Sequence, residues 1–330
     1  FTPSATTLEA NWDSFADTTS GIQYYEYAVG TTAGSSDVSD GWVSIGTNLS
    51  VSVTFTLNET VTYYVSVRAT DNVNNVSAVV TSDGITTDFT GPQGTWAIDG
   101  DSSDIDRQNF TDTYSGYWLH FIEEGSGFKT HEYALYDNDN SQYITSWTVT
   151  LDTSCVISEL ELLEDLTYSL HIRGIDSVDN VGPILMSDGS LVDLSAPAVP
   201  LNLVGWFSTE RIYLEWANNT ESDLDHYSIY GGTEMNPTML LSTTADSTTE
   251  AFMPGFEDGS TYYIRISATD IPGNESAFTA EVIGIPQPAT VTRVNPDPVN
   301  FLNAEDTQLS IHFSQPLSDI GAASAVTIAY

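Results

Sequence analysis

One nine-residue pattern occurs three times. Tyr63-Tyr64-Val65-Ser66-Val67-Arg68-Ala69-Thr70-Asp71 returns as Tyr168-Ser169-Leu170-His171-Ile172-Arg173-Gly174-Ile175-Asp176 and as Tyr262-Tyr263-Ile264-Arg265-Ile266-Ser267-Ala268-Thr269-Asp270. A segment that recurs at this scale is a repeated supersecondary unit, and a chain of such units folds as modules in series. Within each copy the apolar residues alternate: Tyr63, Val65, Val67 and Ala69 fall on one side, Tyr64, Ser66 and Arg68 on the other. Period-two alternation is that of a strand with one buried face. Short strands, turn-rich spacers and no long 3.6-residue pattern predict an all-β chain of tandem antiparallel β-sandwiches, arranged as an elongated array.

Self-alignment sets the boundaries. Phe1-Thr2 matches Phe110-Thr111, Ser82-Asp83-Gly84 matches Ser187-Asp188-Gly189, and Asp88 and Pro92 match Asp193 and Pro197, a period of about 105 residues. Residues 1–92 read as a module lacking its first strand, 93–197 as a second module with its own opening piece from Gly94 to Asn109, and 198–287 as a more distant third copy. Residues 288–330 form a remainder. The pattern predicts that the chain starts inside its first module and that a longer parent continues past Tyr330.

The spacing also carries a resemblance. Leu57, Leu162 and Phe256 each precede Tyr63, Tyr168 and Tyr262 by six residues, and Trp12 and Trp216 stand where a second-strand tryptophan belongs, with Phe121 at that place in module 2. This resembles the Leu-x-Pro-Gly-Thr-x-Tyr corner and the strand-B tryptophan of fibronectin type III domains. Val291-Thr292-Arg293-Val294-Asn295-Pro296 and Leu309-Ser310-Ile311-His312-Phe313 are similar to the opening of the Ig-like domain of bacterial surface-layer proteins. The resemblance implies the sandwich fold; such domains serve as adhesive units, spacers and enzyme appendages alike.

Charge narrows the partners. With 46 acidic residues against 7 basic ones and a net charge of −39, the chain has no positive stripe for phosphate, so nucleic acid and anionic membrane surfaces are not expected partners. No run of about 18 apolar residues is present for membrane insertion in this segment. Cys155 is the only cysteine, read as an apolar filler in the strand around Thr153-Ser154-Cys155-Val156-Ile157.

Asp99-Gly100-Asp101-Ser102-Ser103-Asp104-Ile105-Asp106 concentrates carboxylates in one loop, and hard cations collect oxygen ligands of this kind. Asp99, Asp101, Asp104 and Asp106 are therefore candidate calcium ligands, against the alternative of a solvated acidic turn; no other cofactor is expected. Asp71 with Asn75, Asp176 with Asn180, Asp270 with Asn274, and Asp137-Asn138-Asp139-Asn140 are expected to build turns. Arg68 and Arg173 are expected to pair across strands with Glu26 and Glu132. Tyr24, Tyr25, Tyr64 and Tyr263 are candidates for outward rings that stack on a sugar or a neighbour.

No catalytic residues are assigned. The five histidines are scattered, and neither a His-x-x-x-His spacing nor a Gly-x-Ser-x-Gly elbow is present. The expectation is a non-enzymatic, extracellular, structural or adhesive segment of a larger bacterial surface or filament-forming protein. Its partners would be other copies of itself, other cell-surface proteins, or glycans, with Pro-containing junctions at Thr90-Gly91-Pro92 and Ser195-Ala196-Pro197 limiting swivel. The competing class is the accessory region, spacer or carbohydrate-binding, of a secreted polysaccharide-degrading enzyme.

Overall fold

The computed structural model describes residues 1–245, 248–288, 291–295 and 310–313. All regular structure among them is β-strand. The chain divides into two compact units, Phe1–Val192 and Asp193–Tyr330. Among the described residues, the first unit contains two separate hydrophobic cores and the second contains one.

Module 2 is the most complete sandwich. One sheet orders Ser154–Ser158, Thr113–Trp118 and Ala97–Asp99; the other centres on Phe128–Asp137 against Thr167–Asp176 and extends through Ser190–Val192 to Arg107–Gln108. Between them Tyr114, Trp118, Phe121, Leu135, Leu162, Tyr168, Leu170 and Ile172 interdigitate, all almost fully buried. Burial of side chains this size, at about 1.5 to 3 kcal/mol each, is what holds the two sheets together. Module 1 repeats the plan with Thr7–Asn11 paired to Ser50–Thr54 and a second sheet built on Ile22–Gly30 and Thr62–Asp71. Module 3 repeats it with Val204–Ser208, Arg211–Glu215 and Glu250–Pro254 facing Leu240–Thr243, Leu224–Gly232, Tyr262–Asp270 and Val282–Gly284.

The alternating strands bury the side expected: Tyr63, Val65, Val67 and Ala69 lie in the core of module 1, and Tyr168, Leu170 and Ile172 in that of module 2. Each leading tyrosine also closes a corner. Asn58 N donates to the Tyr63 hydroxyl at 2.9 Å, Leu163 N to Tyr168 at 3.1 Å, and Glu257 N to Tyr262 at 3.2 Å. The same bond at the same offset in all three modules explains why the Leu/Phe-to-Tyr spacing repeats: the ring packs inside while its oxygen satisfies a backbone N–H that the turn leaves open.

Two expectations need correcting. Ser66, Ser169 and Ser267, on the alternate face, are 0%, 2% and 0% exposed. That face is covered: Ser66 Oγ lies 2.9 Å from Thr81 Oγ1 of a flanking strand, Ser169 Oγ donates to Asn138 Oδ1 at 2.7 Å, and Ser267 Oγ donates to Glu275. Tyr25 is a core residue rather than an outward ring, since alternation with Tyr27 and Val29 carries all three into module 1's interior. Of the segment expected to open an Ig-like domain, Val291–Asn295 and Ser310–Phe313 are described and pair antiparallel, and the rest lies outside the described residues.

Candidate metal centre

The aspartate loop of module 2 sorts its carboxylates by direction. Asp99 ends the strand Ala97–Asp99 and turns inward, 0% exposed. Its Oδ1 lies 2.5 Å from both the Tyr114 hydroxyl and Ser187 Oγ, and its Oδ2 accepts from Gly189 N at 2.7 Å. Burial pushes this carboxyl above the usual carboxylate range, against the opposing pull of those three hydrogen bonds. The Tyr114 hydroxyl also lies 2.5 Å from the Tyr168 carbonyl, so its single proton serves two acceptors, and burial followed by the nearby Asp99 raises its pKa.

Asp104 faces the same spot, taking the Asp99 backbone N–H at 3.2 Å. Gly100, with φ of 99°, makes the turn between them. Carboxylate oxygens of Asp99, Asp104 and Asp188 lie within 4.8 Å of one another. Asp188 belongs to the Ser187-Asp188-Gly189 turn far along the chain and was not legible as part of this group. Asp101 and Asp106 are exposed and stand outside it.

A second acidic group sits where module 1 hands the chain to module 2. Asp88, from the connecting segment, meets Glu123 and Asp176 of module 2, with carboxylate oxygens again within 4.8 Å of one another. Asp88 and Asp176 are fully buried and Glu123 is half-buried. Each is placed by local backbone. Asp176 Oδ1 accepts from Val178 N at 2.9 Å and Asn180 N at 2.8 Å, and its Oδ2 accepts from Asn180 Nδ2 at 2.7 Å, the turn expected of the Asp-x3-Asn spacing. Glu123 Oε1 accepts from Gly125 N at 2.7 Å, and its carboxyl is raised by burial and then by the negative Asp88 and Asp176. Gly125 must be glycine for this approach, because a Cβ there would lie 2.4 Å from the Asp88 carboxylate.

The connecting segment is gripped from both modules. On the module 1 side, Glu59 accepts from Phe89 N at 3.1 Å and from Thr90 Oγ1 at 2.9 Å. On the module 2 side, Asn180 Nδ2 donates to the Asp88 carbonyl at 2.7 Å. Pro92 is buried against Gly174 and Gly182, and a Cβ on Gly182 would stand 1.9 Å from the Pro92 carbonyl oxygen. The same use of the turn asparagine recurs at the entry to module 3, where Asn274 Nδ2 donates to the Asp193 carbonyl at 2.8 Å.

Other candidate chemistry resolves into packing. Arg68 Nε donates to Glu26 at 2.8 Å, and Arg173 Nε to Glu132 at 2.8 Å, the cross-strand pairs expected from sequence. Unforeseen were the rings over them: Trp42 lies 4.3 Å from the Arg68 guanidinium and Trp147 4.2 Å from that of Arg173. Cys155 is buried, and burial pushes its thiol up to about 12, leaving it protonated and unreactive at neutral pH. A hollow in module 3 is lined by Gly231, Met239, Leu241, Phe252, Met253 and Tyr262 among others, with no carboxylate or histidine. No helix among the described residues is long and apolar enough to cross a membrane.

Repeated strand order, three cores and three tyrosine corners define a tandem of two-sheet β-sandwich modules. No protein-family model matches the chain. Among curated proteins it is similar to Exoglucanase B of Cellulomonas fimi, 27% identical over 260 residues that make up 74% of this chain and 22% of that protein. The chain thus spans about a fifth of that relative's length. Among solved structures it is similar to the FN1-FN3 domains of chicken CNTN1, with TM-score 0.41 and 16% identity over 86% of this chain and 95% of that one.

Proposed function

We propose that this chain is a non-catalytic spacer segment of a larger secreted protein, whose modules fix the distance and orientation between the domains on either side. The observation that carries this reading is the junction between modules 1 and 2, where Glu59 and Asn180 hold one short connector from opposite ends. A hydrogen-bonded connector packed on glycine and proline has few rotations left, which is what a spacer needs in order to transmit position. The acidic surface keeps such a segment hydrated and unaggregated in salt, where charges are screened over about 8 Å or less.

The likeness to a protein named as an exoglucanase favours an accessory place in a polysaccharide-degrading enzyme over a place in a surface fibre. In either setting the partners are flanking domains, neighbouring copies or glycans, and the location is extracellular. Small-angle scattering of the chain tests the spacer reading together with an assay for sugar release from cellulose. A compact particle of this length has a radius of gyration of about 20 Å. A spacer gives a value well above that and no sugar release; a compact particle, or turnover on the polysaccharide, overturns the reading.

A further inference from the structure

The acidic group at the module 1–module 2 junction differs from the Asp99 loop in one respect. In the Asp99 loop the buried carboxylate has donors on both oxygens. At the junction, Asp88 is 0% exposed, its Oδ2 accepts from Ser126 N, and its Oδ1 is buried with no hydrogen-bond partner. The adjacent Ser126 Oγ is likewise buried without a partner. A carboxylate oxygen sealed from water with nothing donating to it is a rare arrangement, and buried charges are otherwise paired or coordinate metals. Here the unpartnered oxygen belongs to a group whose other members, Glu123 and Asp176, also present carboxylates to the same space. A chain with 7 basic residues against 46 acidic ones has few cations of its own to place there.

We propose that the junction binds a calcium ion through Asp88, Glu123 and Asp176, with Ser126 Oγ as a neutral fourth oxygen. Calcium takes six to eight oxygens at roughly 2.3 to 2.6 Å in flexible geometry, so oxygens on opposite sides of it stand about 4.6 to 5.2 Å apart. Carboxylates gathered within 4.8 Å fit that span, whereas magnesium, at about 2.0 to 2.1 Å, demands a tighter shell and keeps most of its water. Asp176 already accepts three hydrogen bonds, so it contributes through a remaining lone pair while Asp88 and Glu123 supply the principal bonds. Because Asp88 lies in the connector and the other three residues in module 2, the ion ties the connector to the module. Extracellular calcium then sets the stiffness of this junction, a property separate from whether the segment serves as a spacer.

The test uses the whole chain, stripped with a chelator and titrated with calcium chloride by calorimetry in about 0.1 M salt, with thermal melts in parallel. The expected result is one saturable ion per chain and a higher melting temperature. Asp88→Asn and Glu123→Gln should each weaken binding at least 10-fold, while Asp104→Asn and Asp188→Asn leave it unchanged. Glu123 is half-buried, so Glu123→Gln carries the test if circular dichroism shows that Asp88→Asn has not folded. Absence of saturable binding overturns the proposal. So does binding that survives both junction variants and disappears in Asp104→Asn or Asp188→Asn, which places the ion in the Asp99 loop. An equal response to magnesium chloride at the same concentration overturns the assignment to calcium.

Discussion

The side-chain amide of Asn180 donates to the backbone carbonyl of Asp88 at 2.7 Å, so a turn residue of module 2 holds the segment that arrives from module 1. Its second bond, to Asp176 Oδ2, stays within the turn. Asn75, at the matching place in module 1, has the inner bond to Asp71 at 2.8 Å. One residue type in one repeated turn therefore does local work in module 1 and both local and joining work in module 2.

Asn180→Ala removes both bonds and leaves a carbonyl short of a donor, for an expected loss of about 1 to 3 kcal/mol. Asn75→Ala removes the inner bond alone at an exposed turn and should cost about 1 kcal/mol or less. Urea unfolding of the two variants checks the difference. Hydrogen exchange should show faster exchange around the connector in Asn180→Ala only; equal behaviour of the two variants would remove the joining role.

What the chain order reveals and what it hides divide along the same line. Alternation from Tyr63 to Ala69 and the Leu57-to-Tyr63 interval are short-range, and both reappear as a buried face and a tyrosine corner. The Asp-x3-Asn spacing is short-range too, and it builds its turn. The covering of Ser66, Ser169 and Ser267 depends on flanking segments whose position no local pattern encodes. Metal-ligand candidates fared likewise: a run of aspartates marks a loop, but only folding shows that Asp99 points in, that Asp101 and Asp106 point out, and that Asp188 arrives from elsewhere. Asp88 and Asp176 were visible as repeated residues, yet their meeting with Glu123 is a property of the junction rather than of any module.

Arg173 is clamped between the Glu132 carboxylate and the Trp147 ring, with side-chain exposure of 28% for the arginine and 16% for the glutamate. A planar guanidinium can lie flat on an indole while its edge bonds a carboxylate; a lysine ammonium cannot do both. Arg173→Lys should therefore lower stability by about 1 kcal/mol even though charge is conserved. Lys129→Ala, which breaks the exposed pair with Asp179, should change it by less than about 0.5 kcal/mol. Denaturant melts of both variants in the same buffer decide the point.

At Asp99 the hydrogen bonds predict an asymmetry between two substitutions. An asparagine can keep its oxygen toward Gly189 N and turn its amide toward Tyr114 and Ser187, whose oxygens can accept. Asp99→Asn should therefore be close to neutral in stability at pH 7, and Asp99→Ala should cost about 2 to 5 kcal/mol through unmet bonds and a cavity. Thermal melts that rank the two equally would mean that the carboxylate charge itself is what the site requires.

The strongest pH dependence is expected from His131. It is 0% exposed, and Trp118, His120, Phe121 and Phe128 pack around it with ring centroids between 4.5 and 5.7 Å away. Burial, and then the proximity of His120, lowers its pKa to about 4 from the ordinary 6.5. The unfolded chain therefore binds a proton at this residue between pH 6.5 and about 4 while the folded chain does not, so protons favour unfolding across that window. Stability from the neutral ring is fully present above pH 6.5 and falls as pH drops toward 4, by on the order of 3 kcal/mol. His131→Phe, which keeps an aromatic ring in an aromatic cluster and removes the titration, should flatten that slope. Urea midpoints for module 2 at pH 7.5 and 4.5, compared between the natural chain and His131→Phe, give the readout. An unchanged difference between the two pH values would assign the acid sensitivity to the carboxylates instead.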